Sequence, residues 1–182
     1  MKNNITKRLT RTAIIAAIYA VVTIAISPFS YGSIQFRISE ILVLLAIFDP
    51  LYIGGLTLGC LIANLLGPNG PMDVIFGTLA TFLSVYAIYI TGKLISNYKL
   101  KLFIASLWPT IFNGIIIGWM LNKLYGLPLF LSMGEVALGE FMVVTVIGIP
   151  LFIAAGAKFK NVTNERLFNF IACAICSTFI VE

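Results

Sequence analysis

The chain has 182 residues, of which 60% are hydrophobic and 10% are charged. Its mean hydropathy is +1.03, whereas a soluble domain has about one-quarter charged residues. These values exclude a soluble globular domain and predict an integral membrane protein. The net charge of +5 is better explained by the placement of basic residues around a membrane than by nucleic-acid binding, so we expect no nucleic-acid partner.

Residue types that support catalysis or metal binding are scarce. The chain has no histidine, and Cys60, Cys173 and Cys176 lie in apolar runs, so neither a zinc site nor a disulfide framework is expected. No nucleophile lies beside an evident base. We therefore expect no enzyme activity and no cofactor.

Charge-free runs near the length of a membrane span predict six transmembrane helices in one membrane domain, residues 1–166. The first run follows four basic residues like a signal peptide, but more membrane sequence follows it, so we expect a retained helix. An apolar tail, 167–182, has no predicted role. The predicted helical segments are 12–26, 34–48, 51–66, 73–95, 102–124 and 135–160.

Two of these segments, 34–48 and 51–66, are short. Fifteen helical residues span about 22 Å, against about 30 Å for a hydrocarbon core. Short segments interrupted by glycine are tolerated where they line a cavity, which indicates a binding site. Asn64 brings an amide near the end of the second segment, either for a ligand or for a hydrogen bond between helices.

Residues 31–40 place Arg37 and Glu40 close together in a sequence that otherwise avoids charge. On a helix they lie three residues apart on one face, where they can share hydrogen bonds or close on a ligand. The alternative is that each merely neutralises the other inside the membrane. The preceding loop, 27–35, has the composition of a lid.

Polar residues in the later helices are further candidates. Asp73 is positioned to cap the fourth helix. Asn113 lies at mid-membrane on the fifth, where Trp119 is most simply an interfacial anchor. Of the two acidic residues that open the sixth helix, Glu140 is the better candidate for an inward role and Glu135 for facing water.

The basic residues predict the orientation of the chain. Six spans place ten of the twelve lysines and arginines on one side, which is the cytoplasmic side together with the N-terminus. Most carboxylates then lie in the external half. A cavity open to the outside with surplus negative charge suits a cationic or donor-rich small molecule.

Small residues recur at four-residue spacing on the first helix: Ala13 with Ala17, and Ala16 with Ala20. Such residues let helices approach closely in lipid. They serve either packing within the chain or an external partner.

Three motifs together resemble the QueT family. They are Tyr31-Gly32-x-Ile34-Gln35-Phe36-Arg37-Ile38-Ser39-Glu40, then Gly59-Cys60-Leu61-Ile62-Ala63-Asn64, then Gly67-Pro68 leading to the run from Asp73 to Thr81. The resemblance covers 10–160 in architecture and does not extend to the tail. It implies a substrate-binding subunit, or S component, of an energy-coupling factor (ECF) transporter in the bacterial cell membrane.

The resemblance implies capture of a queuosine precursor, a 7-deazaguanine such as prequeuosine or queuine. It also implies docking on one transmembrane coupling subunit and two ATPases through Ala13, Ala16, Ala17 and Ala20. ATP hydrolysis then belongs to another chain, in agreement with the lack of a Gly-rich phosphate loop here. The residues expected at the substrate are Tyr31, Gln35, Arg37, Glu40, Asn64, Asp73, Asn113, Trp119 and Glu140.

We expect particular roles for these side chains. Glu40 and Glu140 are the expected carboxylates for the ring N–H groups and the side-chain ammonium, with Asp73 in reserve. Arg37 orients Glu40 or donates to the ring carbonyl, Asn64 and Asn113 complete the polar edge, and Tyr31 or Trp119 stacks on the ring.

Two other classes of protein stay open. A stand-alone secondary transporter would use Glu40 or Glu140 as a proton site, and its uptake would depend on the proton gradient and not on ATP. A structural membrane subunit would use every charge for neutralisation and would bind no ligand.

Overall fold

The computed structural model describes residues 2–32 and 34–158, and the regular elements in these ranges are all helical. The all-α prediction is therefore confirmed for this part of the chain, and the tail, 167–182, lies outside it. The elements are α1 (Lys2–Ala25), α2 (Ser27–Ser30), a 3₁₀ helix (Ile38–Ile47), α3 (Leu51–Leu66), α4 (Gly70–Leu94), α5 (Tyr98–Tyr125), α6 (Leu129–Glu140), a π-helical segment (Phe141–Gly148) and α7 (Ile149–Lys158).

Four stretches of helix in the described ranges are long and apolar enough to cross a membrane. They are Arg8–Ala25, Gly70–Leu94, Tyr98–Tyr125 and Leu129–Ala154, the last of which runs through α6, the π-helical segment and α7. The 3₁₀ helix and α3 are apolar but shorter, with 10 and 16 residues. The chain is thus a multi-pass membrane protein, while the predicted number of six spans is not confirmed.

The 3₁₀ helix occupies the centre of the molecule. Its residues from Ser39 to Ile47 are all buried, and it packs against α1, α3, α4, α5 and the π-helical segment. A helix that is apolar on every side must be enclosed on every side. At about 2.0 Å rise per residue, its 10 residues place Glu40 at one end of this enclosed rod.

Several helices begin at other residues than predicted, and three of these differences concern candidate side chains. The 3₁₀ helix begins at Ile38, so Arg37 lies before it and shares no helix face with Glu40. Helix α4 begins at Gly70 with a proline in its first turn, which leaves Asp73 inside that turn instead of at the cap. Helix α6 begins at Leu129, before either acidic residue.

The four alanines of α1 lie on two different faces. Ala16 and Ala20 are 3% and 5% exposed, on a helix that packs extensively against α3. Ala13 and Ala17 are exposed. The single smooth stripe expected from the spacing is therefore divided between an inner pair and an outer pair.

Shortening a side chain of the central rod should destabilise the protein. Leu44 is fully buried, and Leu44→Ala should cost about 2–5 kcal/mol because the cavity it leaves collapses only partly. The measurement is the thermal unfolding temperature in detergent, followed by tryptophan fluorescence. Leu79→Ala, at a position that is 45% exposed on α4, is the matched control, and equal effects of the two variants would contradict the central position of the rod.

Candidate functional site

The loop before the 3₁₀ helix is fastened to α4 by a buried ion pair. Arg37 Nη2 lies 3.1 Å from Asp73 Oδ2 and 3.3 Å from Oδ1, and the two side chains are 2% and 1% exposed. Arg37 Nε also donates to the Ser30 carbonyl at 3.2 Å. Because an unpaired buried charge is costly, the pair holds the loop in one position. The predicted contact between Arg37 and Glu40 is replaced by this one.

The other end of the loop is fixed by Tyr31. Its hydroxyl donates to the Ala63 carbonyl of α3 at 2.6 Å, and the Arg37 guanidinium lies 5.2 Å from the centre of its ring, within cation–π range. Burial raises the pKa of Tyr31 to about 12, so the hydroxyl remains a donor at physiological pH. The loop is therefore tied to both α3 and α4.

Helices α3 and α4 come close together beside the ion pair. Asn64 Nδ2 donates to the Asp73 backbone carbonyl at 3.0 Å. A Cβ added to Gly77 would lie 2.5 Å from Asp73 Oδ1 and 2.6 Å from Asn64 Nδ2. Gly77 therefore provides the space that these two polar side chains occupy.

Glu40 is held by hydroxyl groups from two helices. Tyr19 of α1 donates to Glu40 Oε1, and Thr81 of α4 donates to the same oxygen at 3.2 Å. The Glu40 side chain is 0% exposed. Its second oxygen, Oε2, has no hydrogen-bond partner among the described residues.

Glu140 likewise has one oxygen with a hydrogen-bond donor and one without. It is the last residue of α6 and is 1% exposed. Asn113 Nδ2 of α5 donates to its Oε1 at 2.7 Å, while Oε2 has no partner in the described part of the chain. The π-helical segment that follows Glu140 packs on the 3₁₀ helix that carries Glu40. The structure therefore brings the two predicted carboxylates into one buried region.

Gln35 lies in the loop beside a close contact between the loop and α6. It adopts a left-handed backbone conformation with φ of 50°, which is uncommon outside glycine, and its side chain is 1% exposed. The neighbouring Ile34 carbonyl packs so closely on α6 that a Cβ on Gly139 would collide with it. Gln35 Nε2 has no partner within the described ranges.

The unpartnered atoms define what the region can bind. Glu40 Oε2, Glu140 Oε2 and Asn64 Oδ1 are acceptors, and Gln35 Nε2 is a donor. A buried polar atom left unpaired costs about 1–3 kcal/mol, so a ligand with several donors and one acceptor would be stabilised here. Because Arg37 is paired with Asp73, the two glutamates favour a ligand that is cationic or rich in donors.

Contacts link the predicted residues Tyr31, Arg37, Asp73 and Asn64, and a hydrogen bond links Asn113 with Glu140. The ring of Trp119 packs edge-to-face on Phe76, with 5.1 Å between the centroids, and it joins an apolar cluster of α4, α5 and α6. The roles assigned to individual residues at a substrate remain predictions.

Tyr19 and Thr81 were missed by the sequence reasoning. Tyr19 gave a signal, because a tyrosine in the middle of an apolar helix is far from the membrane interfaces where tyrosine is usual. Thr81 gave none, since a lone threonine in such a helix commonly bonds its own backbone.

The long apolar helices and the enclosed polar region define a multi-pass membrane protein with an internal candidate site. The sequence profile described as QueT transporter matches residues 9–156. The chain is 37% identical over 150 residues to the Queuosine precursor transporter QueT of Lactococcus lactis subsp. cremoris (strain MG1363), in an alignment that covers 78% of this chain and 88% of that protein.

The chain therefore belongs to the QueT transporter family. This confirms the resemblance found in the motifs. The family and the relative are transporters and not enzymes. A comparison with the solved structures finds no match.

Removing the charge of Asp73 should leave Arg37 buried without its counterion. Asp73→Asn should cost about 3–5 kcal/mol and lower the thermal unfolding temperature in detergent. The double variant Arg37→Gln/Asp73→Asn should be more stable than Asp73→Asn alone, because no unpaired charge remains. Glu135→Gln removes a half-buried carboxylate and is the control. An unfolding temperature for Asp73→Asn equal to that of the parent would contradict the ion pair.

Proposed function

We propose that this chain is the substrate-binding membrane subunit of an ECF-type importer and captures a queuosine precursor from outside the cell. Family membership and the similarity to the queuosine precursor transporter of Lactococcus support transport of such a precursor. The observation that carries the proposal is the pair of buried glutamates, each with one oxygen bonded and the other without a partner.

The chemistry of a 7-deazaguanine matches these atoms. Its ring N–H and exocyclic amine donate together to one carboxylate, and the ammonium of a cationic side chain pairs with a second. We assign Glu40 and Glu140 to these two tasks. The ring carbonyl needs a donor, which Gln35 Nε2 supplies, and Asn64 Oδ1 accepts a further N–H.

The remaining candidates support the site in other ways. Asn113 orients Glu140 through its hydrogen bond. Arg37 and Asp73 fix the loop against α4. Because the Asp73 carboxylate is paired with Arg37, we do not assign it to the ligand. One face of the Tyr31 ring is covered by Arg37, and the Trp119 ring packs on Phe76 in the apolar cluster, so neither ring is assigned to stacking on the ligand.

The transport step requires partners in this proposal. The coupling subunit docks on the outer pair of α1, Ala13 and Ala17, because Ala16 and Ala20 pack inside the chain. Six segments lie within the membrane when the 3₁₀ helix and α3 are counted with the four long ones, and the basic N-terminus faces the cytoplasm.

Calorimetry on the purified chain in detergent tests the substrate. Prequeuosine and queuine should bind, while guanine and riboflavin serve as controls that lack the cationic side chain or the ring. If folded protein binds none of the deazaguanines, the proposed substrate is wrong.

Neutralising either glutamate should weaken binding. Glu40→Gln and Glu140→Gln each remove a charge-assisted hydrogen bond, worth about 1.5–3 kcal/mol, and the dissociation constant for prequeuosine should rise roughly 10- to 100-fold. Glu135→Gln, on the same helix as Glu140, should bind as the parent does. Parent-like affinity in both site variants would refute the assignment.

Coupling to ATP hydrolysis is tested in liposomes. Uptake of prequeuosine should need the coupling subunit and both ATPases and should stop when ATP is omitted. A stand-alone transporter instead predicts uptake by this chain alone that collapses with the proton gradient, and that result would overturn the ECF assignment.

A further inference from the structure

The two carboxylate oxygens of Glu40 differ in their hydrogen bonding. Oε1 accepts hydrogen bonds from both Tyr19 and Thr81, whereas Oε2 has no partner among the described residues. The three side chains are each 0% exposed. Two donors converge on one oxygen although the other oxygen of the same carboxylate stays unbonded.

The donors come from two different helices, both of which pack on α3 and on the 3₁₀ helix. Tyr19 lies on α1, which packs on α3, and Thr81 lies on α4, which packs on α5. A side chain fixed from two rigid helices keeps one rotamer, and a ligand then finds its acceptor already in place. Cys60 Sγ lies 3.2 Å from Thr81 Oγ1 and restricts the hydroxyl further.

Hydroxyl donors stabilise a carboxylate without cancelling its charge. Asp73 is paired with Arg37, so this ion pair presents no net charge to a ligand. Glu40 receives two neutral donors instead, and hydrogen bonds to the charged form favour that form. In its charged form, Glu40 can accept the donor groups of a cationic or donor-rich ligand through Oε2.

We infer that Tyr19 and Thr81 are the positioning residues of the substrate site, which hold Glu40 Oε1 so that Oε2 receives the donor groups of the ligand. This inference rests on the proposed function. It assigns to α1 a role in substrate recognition through its inner face, in addition to the exposed alanines on its outer face.

A purely structural role of the same residues makes a different prediction. If the hydroxyls only satisfy a buried charge, their removal destabilises the fold, and any loss of affinity is independent of Glu40. If they position Glu40 for the ligand, their removal weakens binding only while residue 40 is a glutamate. A double-mutant cycle separates the two cases.

The experiment is calorimetric titration of the purified chain with prequeuosine. Tyr19→Phe and Thr81→Val each remove one hydroxyl at nearly constant volume, and each should raise the dissociation constant roughly tenfold. Thr81→Ser keeps the hydroxyl and should restore an affinity near that of the parent. Ser84→Ala, one turn further along α4, is the control, because the Ser84 hydroxyl is fully buried and bonds only its own helix at Ala80.

Both substitutions are then repeated in the Glu40→Gln background, where neither should weaken binding further. Parent-like affinity of Tyr19→Phe and Thr81→Val, with Glu40→Gln impaired, would overturn the positioning role and leave the proposed function intact. Fully additive losses would overturn it as well. If Glu40→Gln itself binds as tightly as the parent, Glu40 does not contact the ligand and this inference fails, whereas the proposed function fails only if the folded parent binds no deazaguanine.

Each variant is first checked by its thermal unfolding temperature. If Tyr19→Phe does not fold, the comparison of Thr81→Val with Thr81→Ser decides the question, because serine keeps the hydroxyl at position 81 and valine lacks it. Equal affinities for these two would count against the inference.

Discussion

The burial of charge is the constraint on which the rest of this structure depends. Arg37, Glu40, Asp73 and Glu140 are each at most 2% exposed, in a protein whose surroundings are lipid and where uncompensated charge is costly. One cation cannot neutralise three carboxylates. Its pairing with Asp73 fixes the loop before the 3₁₀ helix, and it leaves the two glutamates to be stabilised by hydroxyl and amide donors.

Departures from regular α-helix border both glutamates. Glu40 lies in the first turn of the 3₁₀ helix, and the π-helical segment begins directly after Glu140. Long 3₁₀ runs and π-helical turns are both uncommon, and both occur frequently at functional sites. Both departures from α-helix therefore lie beside the buried glutamates of the candidate site.

The sequence predicted local features better than contacts between distant segments. Helix α3 was predicted with its observed bounds, because prolines on either side restrict it. The ion pair of Arg37 joins residues 36 positions apart, and a spacing rule that considers only helix neighbours selected Glu40 instead. Inward roles for Glu40 and Glu140 were predicted from their depth in the apolar segments. Their hydrogen-bond donors on α1, α4 and α5 were not predicted, because these contacts depend on how the helices pack.

The contrast between Asp73 and Glu40 shows two ways to bury a carboxylate, with opposite consequences for a ligand. A cation within 3.1 Å of Asp73 satisfies both its charge and its hydrogen bonds, so a cationic ligand would have to displace Arg37 and leave that charge unpaired. Neutral donors on one oxygen of Glu40 leave its charge to be compensated. For the cationic precursor proposed above, the second arrangement needs no internal ion pair to break on binding, and it leaves the carboxylate hydrogen-bonded after release.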